Sequence, residues 1–281
     1  MSIMKKLREY LNRHLSFIMF LLIIISTVIT ALTVVFIIGY IFIKGVPNLS
    51  LDLFSLKYSS SNQSMLPSII NTVYLTALTL LLAVPIGIFS AIYLAEYSRK
   101  NSFFVKIINI ANETLSGIPS IVYGLFGFLA FVISKKWGYS LLAGVITLAI
   151  MVLPLIIRTS QEAMLGVDNT FREASYGLGA GKLRTVFKIV LPSAMPGILS
   201  GIILAIGRIV GETAALIYTA GTVPEAATKL TSSSRTISVH LYCLLNEGLY
   251  TEQAYATAVV LIVFVVIINA LSNALAKKIM K

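Results

Sequence analysis

Two side chains of opposite charge lie four residues apart inside a long apolar stretch. Arg208 and Glu212 occur in the sequence Ala-Ile-Gly-Arg-Ile-Val-Gly-Glu-Thr-Ala, within an apolar span over residues 195–220. On a continuous helix, residues four apart share one face, so the sequence predicts that this arginine and this glutamate pair. Charged side chains are unfavourable in a membrane helix unless they face protein or water. The pair is therefore either a structural ion pair or part of a polar path.

A second polar segment lies between two apolar runs. It carries Glu-Ala-Ser at residues 173–175, Gly179, and Ile-Val-Leu-Pro at residues 189–192. The segment is basic and compatible with helix, and Gly179 interrupts it. We expect Pro192 to mark the point where the chain turns back toward the membrane.

The composition is that of a membrane protein. Apolar residues make up 57% of the 281 residues, charged residues only 12%, and the mean hydropathy is +0.91. A soluble domain carries about 25% charged residues. The net charge of +11 is scattered over loops, so nucleic acid is not an expected partner. The single Cys243 excludes an internal disulfide and a cysteine metal site.

Six apolar segments are long enough, or nearly so, to cross a bilayer as helices. They cover residues 17–43, 68–95, 117–133, 139–157, 195–220 and 254–276. The first is too long for the core of a signal peptide and ends without a small-residue cleavage site, so we expect an uncleaved helix. The sequence therefore predicts an all-α, polytopic membrane protein with six transmembrane helices.

The distribution of lysine and arginine sets the expected orientation. With the N-terminus inside, the cytoplasmic loops carry fifteen basic residues: Lys5, Lys6, Arg8, Arg13, Arg99, Lys100, Lys106, Arg158, Arg172, Lys182, Arg184, Lys188, Lys277, Lys278 and Lys281. The outer loops carry six: Lys44, Lys57, Lys135, Lys136, Lys229 and Arg235. This bias predicts that both termini and the segment around Glu173 are cytoplasmic.

The loops carry weaker signals. Residues 44–67 lack periodicity and predict a solvated turn structure, and residues 101–115 predict a helix at the membrane surface. Apolar residues at helical spacing over 237–249 predict a helix lying at the outer interface. His240 and Cys243 occur there without a second ligand nearby, so no metal site is expected.

One glycine-rich stretch is a false signal for nucleotide binding. Residues 177–182 read Gly-Leu-Gly-Ala-Gly-Lys, but a P-loop requires glycine where Tyr176 stands and Ser or Thr where Leu183 stands. We therefore expect no ATPase site in this chain, which makes it no enzyme in its own right, and no bound cofactor.

The polar segment resembles the EAA loop of ABC-importer permeases. That loop has Glu-Ala-Ala, then glycine, isoleucine and Leu-Pro at fixed spacing. The matching residues here are Gly179, Ile189 and the pair Leu191-Pro192, and Ser175 replaces the second alanine.

Three further stretches resemble phosphate ABC permeases of the PstA and PstC type. The most specific are Gly-Arg-x-x-Gly-Glu-Thr-Ala at residues 207–214 and Pro-Ser-Ile-Val-Tyr-Gly-Leu-Phe at residues 119–126. Residues 85–97 match a third stretch, at the inner end of the second span. The short outer loops and the Thr213-Ala214 continuation look more like the PstA type.

The resemblance implies a fold, a function and partners. The fold would be that of a type I ABC importer permease, with residues 1–281 as one transmembrane domain, a core at about 68–276, and an N-terminal helix and outer loop in residues 1–67. The function would be ATP-driven phosphate import through the cell membrane. The partners would be a dimer of cytoplasmic ATP-binding subunits, a PstC-like sister permease, an external phosphate-binding protein and membrane lipid.

The resemblance also assigns candidate residues. Arg208, Glu212 and Thr213 would line the substrate path, where the planar guanidinium group meets two phosphate oxygens and Glu212 moderates the attraction. A helix over residues 172–179 would contact the ATPase. There Glu173 would anchor the helix, and the small residues Ala174, Ser175 and Gly179 would allow close approach.

Other functions fit part of the pattern. A permease for another oxyanion, such as molybdate or sulfate, would share the loop but not the Gly-Glu-Thr-Ala match. A secondary transporter with Arg208 and Glu212 as an ion relay would not need the loop. A membrane scaffold would leave the charged pair without a purpose.

Overall fold

The computed structural model describes residues 2–98 and 102–279, and this part of the chain is helical without strands. Arg99, Lys100 and Lys281, which enter the predicted charge bias, lie outside the described residues. The helices are α1 (Ser2–Gly45), α2 (Leu66–Ile92), α3 (Phe103–Gly117), α4 (Ser120–Gly127), α5 (Leu141–Leu165), α6 (Asn169–Gly177), α7 (Lys182–Thr185), α8 (Leu191–Gly211), α9 (Ala214–Thr219), α10 (Ile237–Glu247) and α11 (Thr251–Ile279). Wider π-helical turns extend α2, α4 and α7 over Tyr93–Tyr97, Phe128–Ser134 and Val186–Val190.

The membrane spans confirm the predicted all-α, multi-pass architecture. Five helical segments in the described part of the chain are long and apolar enough to cross a bilayer, and a bent helix pair can form a sixth span. In that pair α3 meets the α4 segment at 100°. Pro119 lies at the bend because its ring and missing N–H prevent the helix from continuing. The predicted surface helix is thus α3, and the predicted third span is the segment Ser120–Ser134.

Pro192 does not turn the chain, and that prediction is wrong. α7, the π-helical turn Val186–Val190 and α8 form one continuous helix, Lys182–Gly211. Pro192 lies in the first turn of α8, directly after the π-helical turn. A π-helical turn breaks the regular hydrogen-bond pattern, so a proline there disturbs the helix little. The chain turns earlier, between α6 and α7.

The core forms around α5. Its side chains pack between α2 and α8, and the largest cluster of buried residues includes Leu148 and Ile156 of α5 with Ile209 of α8 and Leu216 of α9. Helix α1 contributes little to this core, because its side chains from Ser16 to Ile38 are exposed. It packs against α11 at its C-terminal end, where Gly45 approaches the backbone of Tyr255 closely.

The outer loops are more ordered than predicted. Leu53, in the loop expected to be a solvated turn, is buried with Met65, Ile237 and Ala256. α10 is buried along one face, where Ile237, His240 and Leu244 pack into the protein, while Tyr242 and Leu245 on its other side are exposed. Its position at the outer interface stays a prediction.

Two side chains of α2 bind the loop that leads into α10. Asn71 donates hydrogen bonds to the carbonyls of Glu225 and Arg235 at 3.0 and 3.1 Å, and accepts one from the Ala227 amide at 2.8 Å. The hydroxyl of Thr72 accepts from the Ile237 amide at 3.0 Å. These polar groups bind the loop backbone and hold the start of α10 against α2.

We predict that Gly124→Ala destabilises the fold and that Gly117→Ala does not. A β-carbon at Gly124 would lie 2.8 Å from the Ala215 Cα of α9, whereas one at Gly117 meets nothing within 4 Å. Forcing α4 and α9 apart costs about 1–3 kcal/mol. The thermal unfolding midpoints of the two single-methyl variants in detergent provide the test. Equal midpoints would contradict the close contact of α4 with α9.

Candidate functional site

The predicted pairing of Arg208 with Glu212 is wrong because the helix ends between them. α8 stops at Gly211, and Glu212 is extended with φ −71° and ψ 131°. Its buried carboxylate turns to the next helix, where Oε1 accepts a hydrogen bond from the Ala215 amide of α9 at 3.1 Å. This bond satisfies one of the free N–H groups at the start of a helix. Residues four apart pair only on a continuous helix, and this helix ends at Gly211, between Arg208 and Glu212.

Arg208 lies half-exposed on an open face of α8. Within residues 2–98 and 102–279 its guanidinium has no carboxylate within salt-bridge distance and no hydrogen-bond acceptor. Gly207 and Gly211 line the same end of the helix, and a β-carbon at either would meet nothing within 4 Å. Leu204 is exposed one turn earlier. This face therefore presents a cation beside two glycines, with room for another molecule.

The break that follows Arg208 is held from two sides. From α10, the Ser238 hydroxyl donates to the Glu212 carbonyl at 2.6 Å. From α4, Gly124 packs closely on Ala215. Thr213, the third predicted path residue, is half-buried at the start of α9 and its carbonyl accepts from the amides of Leu216 and Ile217. Sequence reasoning missed the role of Ser238, because nothing in the sequence brings α10 to this break.

The polar segment around Glu173 forms a helical hairpin made of α6 and α7. Asp168 caps α6, its Oδ1 accepting from the Thr170 amide at 2.9 Å, which holds the pKa of Asp168 below its ordinary value. Gly179 has φ +81° and makes the turn, a conformation that favours glycine. The hydroxyls of Ser175 and Thr185 lie 2.8 Å apart and join the two helices. The predicted interruption at Gly179 is therefore confirmed.

The surface of this hairpin differs in part from the prediction. Glu173, Ala174 and Gly179 are exposed, as a contact with a partner requires. Ser175 is buried instead, because its side chain faces Thr185 inside the hairpin. The largest exposed apolar group at the turn is Leu178, with 90% of its surface accessible. Sequence reasoning missed Leu178, although an apolar residue beside a turn glycine was the available signal.

Arg172 attaches the hairpin to the transmembrane helices. Its Nε and Nη2 donate to Oε1 of Glu96 at 3.1 and 2.6 Å, and this ion pair is 13% and 6% exposed. The guanidinium also donates to the carbonyls of Val167 and Met164, at 2.7 and 2.8 Å. These bonds connect α6 to the π-helical turn that follows α2 and to the end of α5. The sequence alone did not predict this ion pair, whose members lie 76 residues apart.

A second cation strengthens the same attachment. The Lys182 ammonium of α7 lies 4.9 Å from the ring centre of Tyr97, one residue after Glu96. A cation over an aromatic face contributes about 0.5–1 kcal/mol at an exposed site. Both helices of the hairpin are thus joined to the π-helical turn Tyr93–Tyr97.

Several known proteins are similar in sequence to this chain. Residues 83–281 match the family described as binding-protein-dependent transport system inner membrane component. The chain is 32% identical to the probable ABC transporter permease protein YqgI of Bacillus subtilis, over 82% of this chain and 84% of that one. It is 35% identical to the phosphate transport system permease protein PstA of Haemophilus influenzae, over 77% of each chain.

A solved structure shares the fold. The match is to a chain of a bacterial alginate ABC transporter in complex with an alginate pentasaccharide-bound periplasmic protein, with a TM-score of 0.67. It covers 98% of both chains at 18% identity. At this identity the likeness supports the architecture and not the substrate, which must be argued from the site.

We predict that Glu96→Gln strongly destabilises the protein and that Arg158→Gln does not. The first change leaves Arg172 buried without its counter-charge, which costs about 3–5 kcal/mol. The control removes one partner of the Arg158–Glu162 ion pair, whose side chains are 56% and 62% exposed. Exposed pairs of this kind contribute little. Thermal unfolding of both variants tests the difference, and a Glu96→Gln midpoint at the wild-type value would show that the pair is not structural.

Proposed function

This chain belongs to the family of binding-protein-dependent transport system inner membrane components, and from that premise we propose that it is the PstA-type permease subunit of an ATP-driven phosphate importer. The fold and the family make it a transporter component that crosses the membrane several times. Phosphate as the substrate is supported by its 35% identity to the PstA protein of Haemophilus influenzae. The observation that carries the proposal is Arg208, which lies on an open face of α8 with no counter-charge among the described residues.

In this proposal Arg208 binds phosphate on the translocation path. A guanidinium group offers parallel N–H donors that match two oxygens of a phosphate dianion. Because the described residues place no carboxylate against it, the group is free for an anion in this conformation. Thr213 contributes a hydroxyl at the same break. Glu212 follows at the same break, and its carboxylate would moderate the attraction so that phosphate can leave.

The hairpin of α6 and α7 would receive the motion of the ATP-binding subunits. Glu173, Ala174 and Gly179 lie on its exposed surface, where a cytoplasmic partner can approach closely. Leu178 is the apolar anchor we assign to this contact. Ser175 would support this contact from inside the hairpin, since its hydrogen bond to Thr185 holds the two helices together.

The importer would work by alternating access with several subunits. The open face of α8 needs a second wall, which we assign to a PstC-like sister permease. An external phosphate-binding protein would deliver the substrate, by analogy with the periplasmic protein in the alginate transporter complex. Both termini and the hairpin would be cytoplasmic. The chain would bind no cofactor and hydrolyse no ATP itself, because that reaction belongs to the partner.

We predict that Arg208→Gln lowers ATP-driven phosphate uptake at least about tenfold, since a charged hydrogen bond is worth about 1.5–3 kcal/mol. The measurement is uptake of radiolabelled phosphate by proteoliposomes that contain the complete complex and the binding protein. Lys188→Gln is the control, because Lys188 is exposed on the same continuous helix far from the break. Arg208→Lys keeps the charge but loses the fork, so its uptake should lie between the two.

Three outcomes of that assay would contradict the proposal. Uptake without ATP would favour a secondary transporter. Strong competition by molybdate or sulfate at equal concentration would favour a permease for another oxyanion. Wild-type uptake by an assembled Arg208→Gln complex would remove Arg208 from the path.

We predict that Leu178→Ser and Glu173→Ala weaken binding of the ATP-binding subunit. Truncation of an apolar anchor at an interface costs about 2 kcal/mol or more. The readout is the amount of ATP-binding subunit retained when the tagged permease is purified. Leu249→Ser is the matched control, because Leu249 is also a highly exposed leucine, at 81%, but follows α10 at the predicted outer end. Equal retention in all variants would place the docking surface elsewhere.

A further inference from the structure

A buried arginine without a counter-charge lies beside the first turn of α10. Arg235 is only 4% exposed. Its guanidinium carbon lies 4.8 Å from the ring centre of Tyr58, in the loop between α1 and α2. Among the residues that the structure describes, Arg235 takes part in no salt bridge, and its Nε and Nη2 have no hydrogen-bond partner. The aromatic ring offsets only part of the cost of a buried charge.

The two unpartnered nitrogens form one edge of the guanidinium group. Nε and Nη2 point their N–H groups in parallel, and this is an edge that binds two oxygens of an oxyanion. The same edge of another arginine binds a carboxylate in this protein: Nε and Nη2 of Arg172 both donate to Glu96. In Arg235 the corresponding edge has no carboxylate in the described part of the chain.

His240 adds a second unpartnered group next to Arg235. It is fully buried, and neither ring nitrogen has a hydrogen-bond partner within residues 2–98 and 102–279. Burial, and then the nearby charge of Arg235, lower the pKa of His240 to about 3. The imidazole is therefore neutral and carries one N–H donor. Its ring centre lies 6.4 Å from that of Tyr58, so both groups surround the same aromatic ring.

We infer that Arg235 and His240 form a second anion site, which takes a tetrahedral phosphate group. The site would supply the two parallel donors of the guanidinium edge and one donor from the imidazole. The local charge of the site is positive, because the guanidinium group of Arg235 is charged and the described residues place no carboxylate against it. The identity of the anion rests on the proposed function, whereas the donors themselves do not.

The loop that carries Tyr58 encloses this site. The Tyr58 hydroxyl donates to Oε1 of Gln63 at 2.7 Å, and the Ser64 hydroxyl donates to the Leu53 carbonyl at 3.2 Å. Tyr58 itself is half-buried, and residues 59–61 next to it are exposed. Displacement of this ring would therefore uncover the side of the guanidinium group that now faces Tyr58.

The position of the site connects it to the break after Arg208. Ser238, three residues after Arg235, donates to the Glu212 carbonyl. An anion bound at Arg235 would thus lie in the segment that holds the proposed path residues in place. Two sources can supply the phosphate group: free inorganic phosphate on its way to Arg208, or the headgroup of a phospholipid.

The test measures phosphate binding to the complete importer in detergent, without ATP and without the binding protein. Radiolabelled inorganic phosphate is titrated against wild type, Arg235→Met, Arg235→Lys and Arg208→Gln. We expect Arg235→Met to weaken one class of sites by about tenfold or more, as for loss of a charged hydrogen bond. Arg208→Gln should keep that class, and Arg235→Lys should bind with intermediate affinity. Native mass spectrometry of the same samples detects a retained phospholipid, which Arg235→Met should lose if the headgroup is the source.

Wild-type behaviour of assembled Arg235→Met in both measurements would overturn the second site. If Arg235→Met does not assemble, His240→Phe keeps the ring shape without the donor, and unchanged binding in that variant would overturn the site equally. Failure of the proposed function has a different signature. In that case the uptake assay would carry another anion or require no ATP, while anion binding would still depend on Arg235.

Discussion

The absence of water in a bilayer governs this structure, because each backbone or charged group that leaves a helix there must find a protein partner. The break between α8 and α9 is where this constraint is met most fully. Glu212 accepts from the Ala215 amide, and its own carbonyl accepts from Ser238. Asn71 and Thr72 bind the loop backbone that brings Ser238 to this place. Arg208 stands out against this background, since no described residue satisfies it.

Burial within the protein imposes the same requirement on Arg172 and Glu96, which attach the hairpin to the transmembrane helices. Arg172 and Glu96 are nearly buried, and the remaining guanidinium donors are used by the carbonyls of Val167 and Met164. A buried pair stabilises a structure only when its other donors and acceptors are also satisfied, and here they largely are. The attachment is therefore geometrically specific, and it fixes where α6 lies relative to α2 and α5. A surface pair such as Arg158–Glu162 does not fix the position of a helix in this way, because water competes for both groups.

Sequence reasoning reached the architecture and the location of the polar sites but not their contacts. Hydropathy and loop punctuation predicted the spans, the helix α3 and the turn at Gly179, because these depend on local composition. The pairing of Arg208 with Glu212 and the turn at Pro192 failed for a common reason. Each assumed that a residue acts on its own helix, whereas Gly211 ends one helix and a π-helical turn precedes the proline. The burial of Ser175 and α10 depends on partners distant in sequence, which one sequence does not reveal.

The continuous helix Lys182–Gly211 gives these separate features one mechanical consequence. At 1.5 Å per residue its 30 residues extend about 45 Å. Its first residue lies over Tyr97 beside the hairpin, and its last residues carry Arg208 to the break. In the proposed importer a displacement of the hairpin would reach Arg208 along this helix, with α5 packed against its side. Pro192 lies within this continuous helix, so a proline that the sequence placed at a turn lies instead between the hairpin and Arg208.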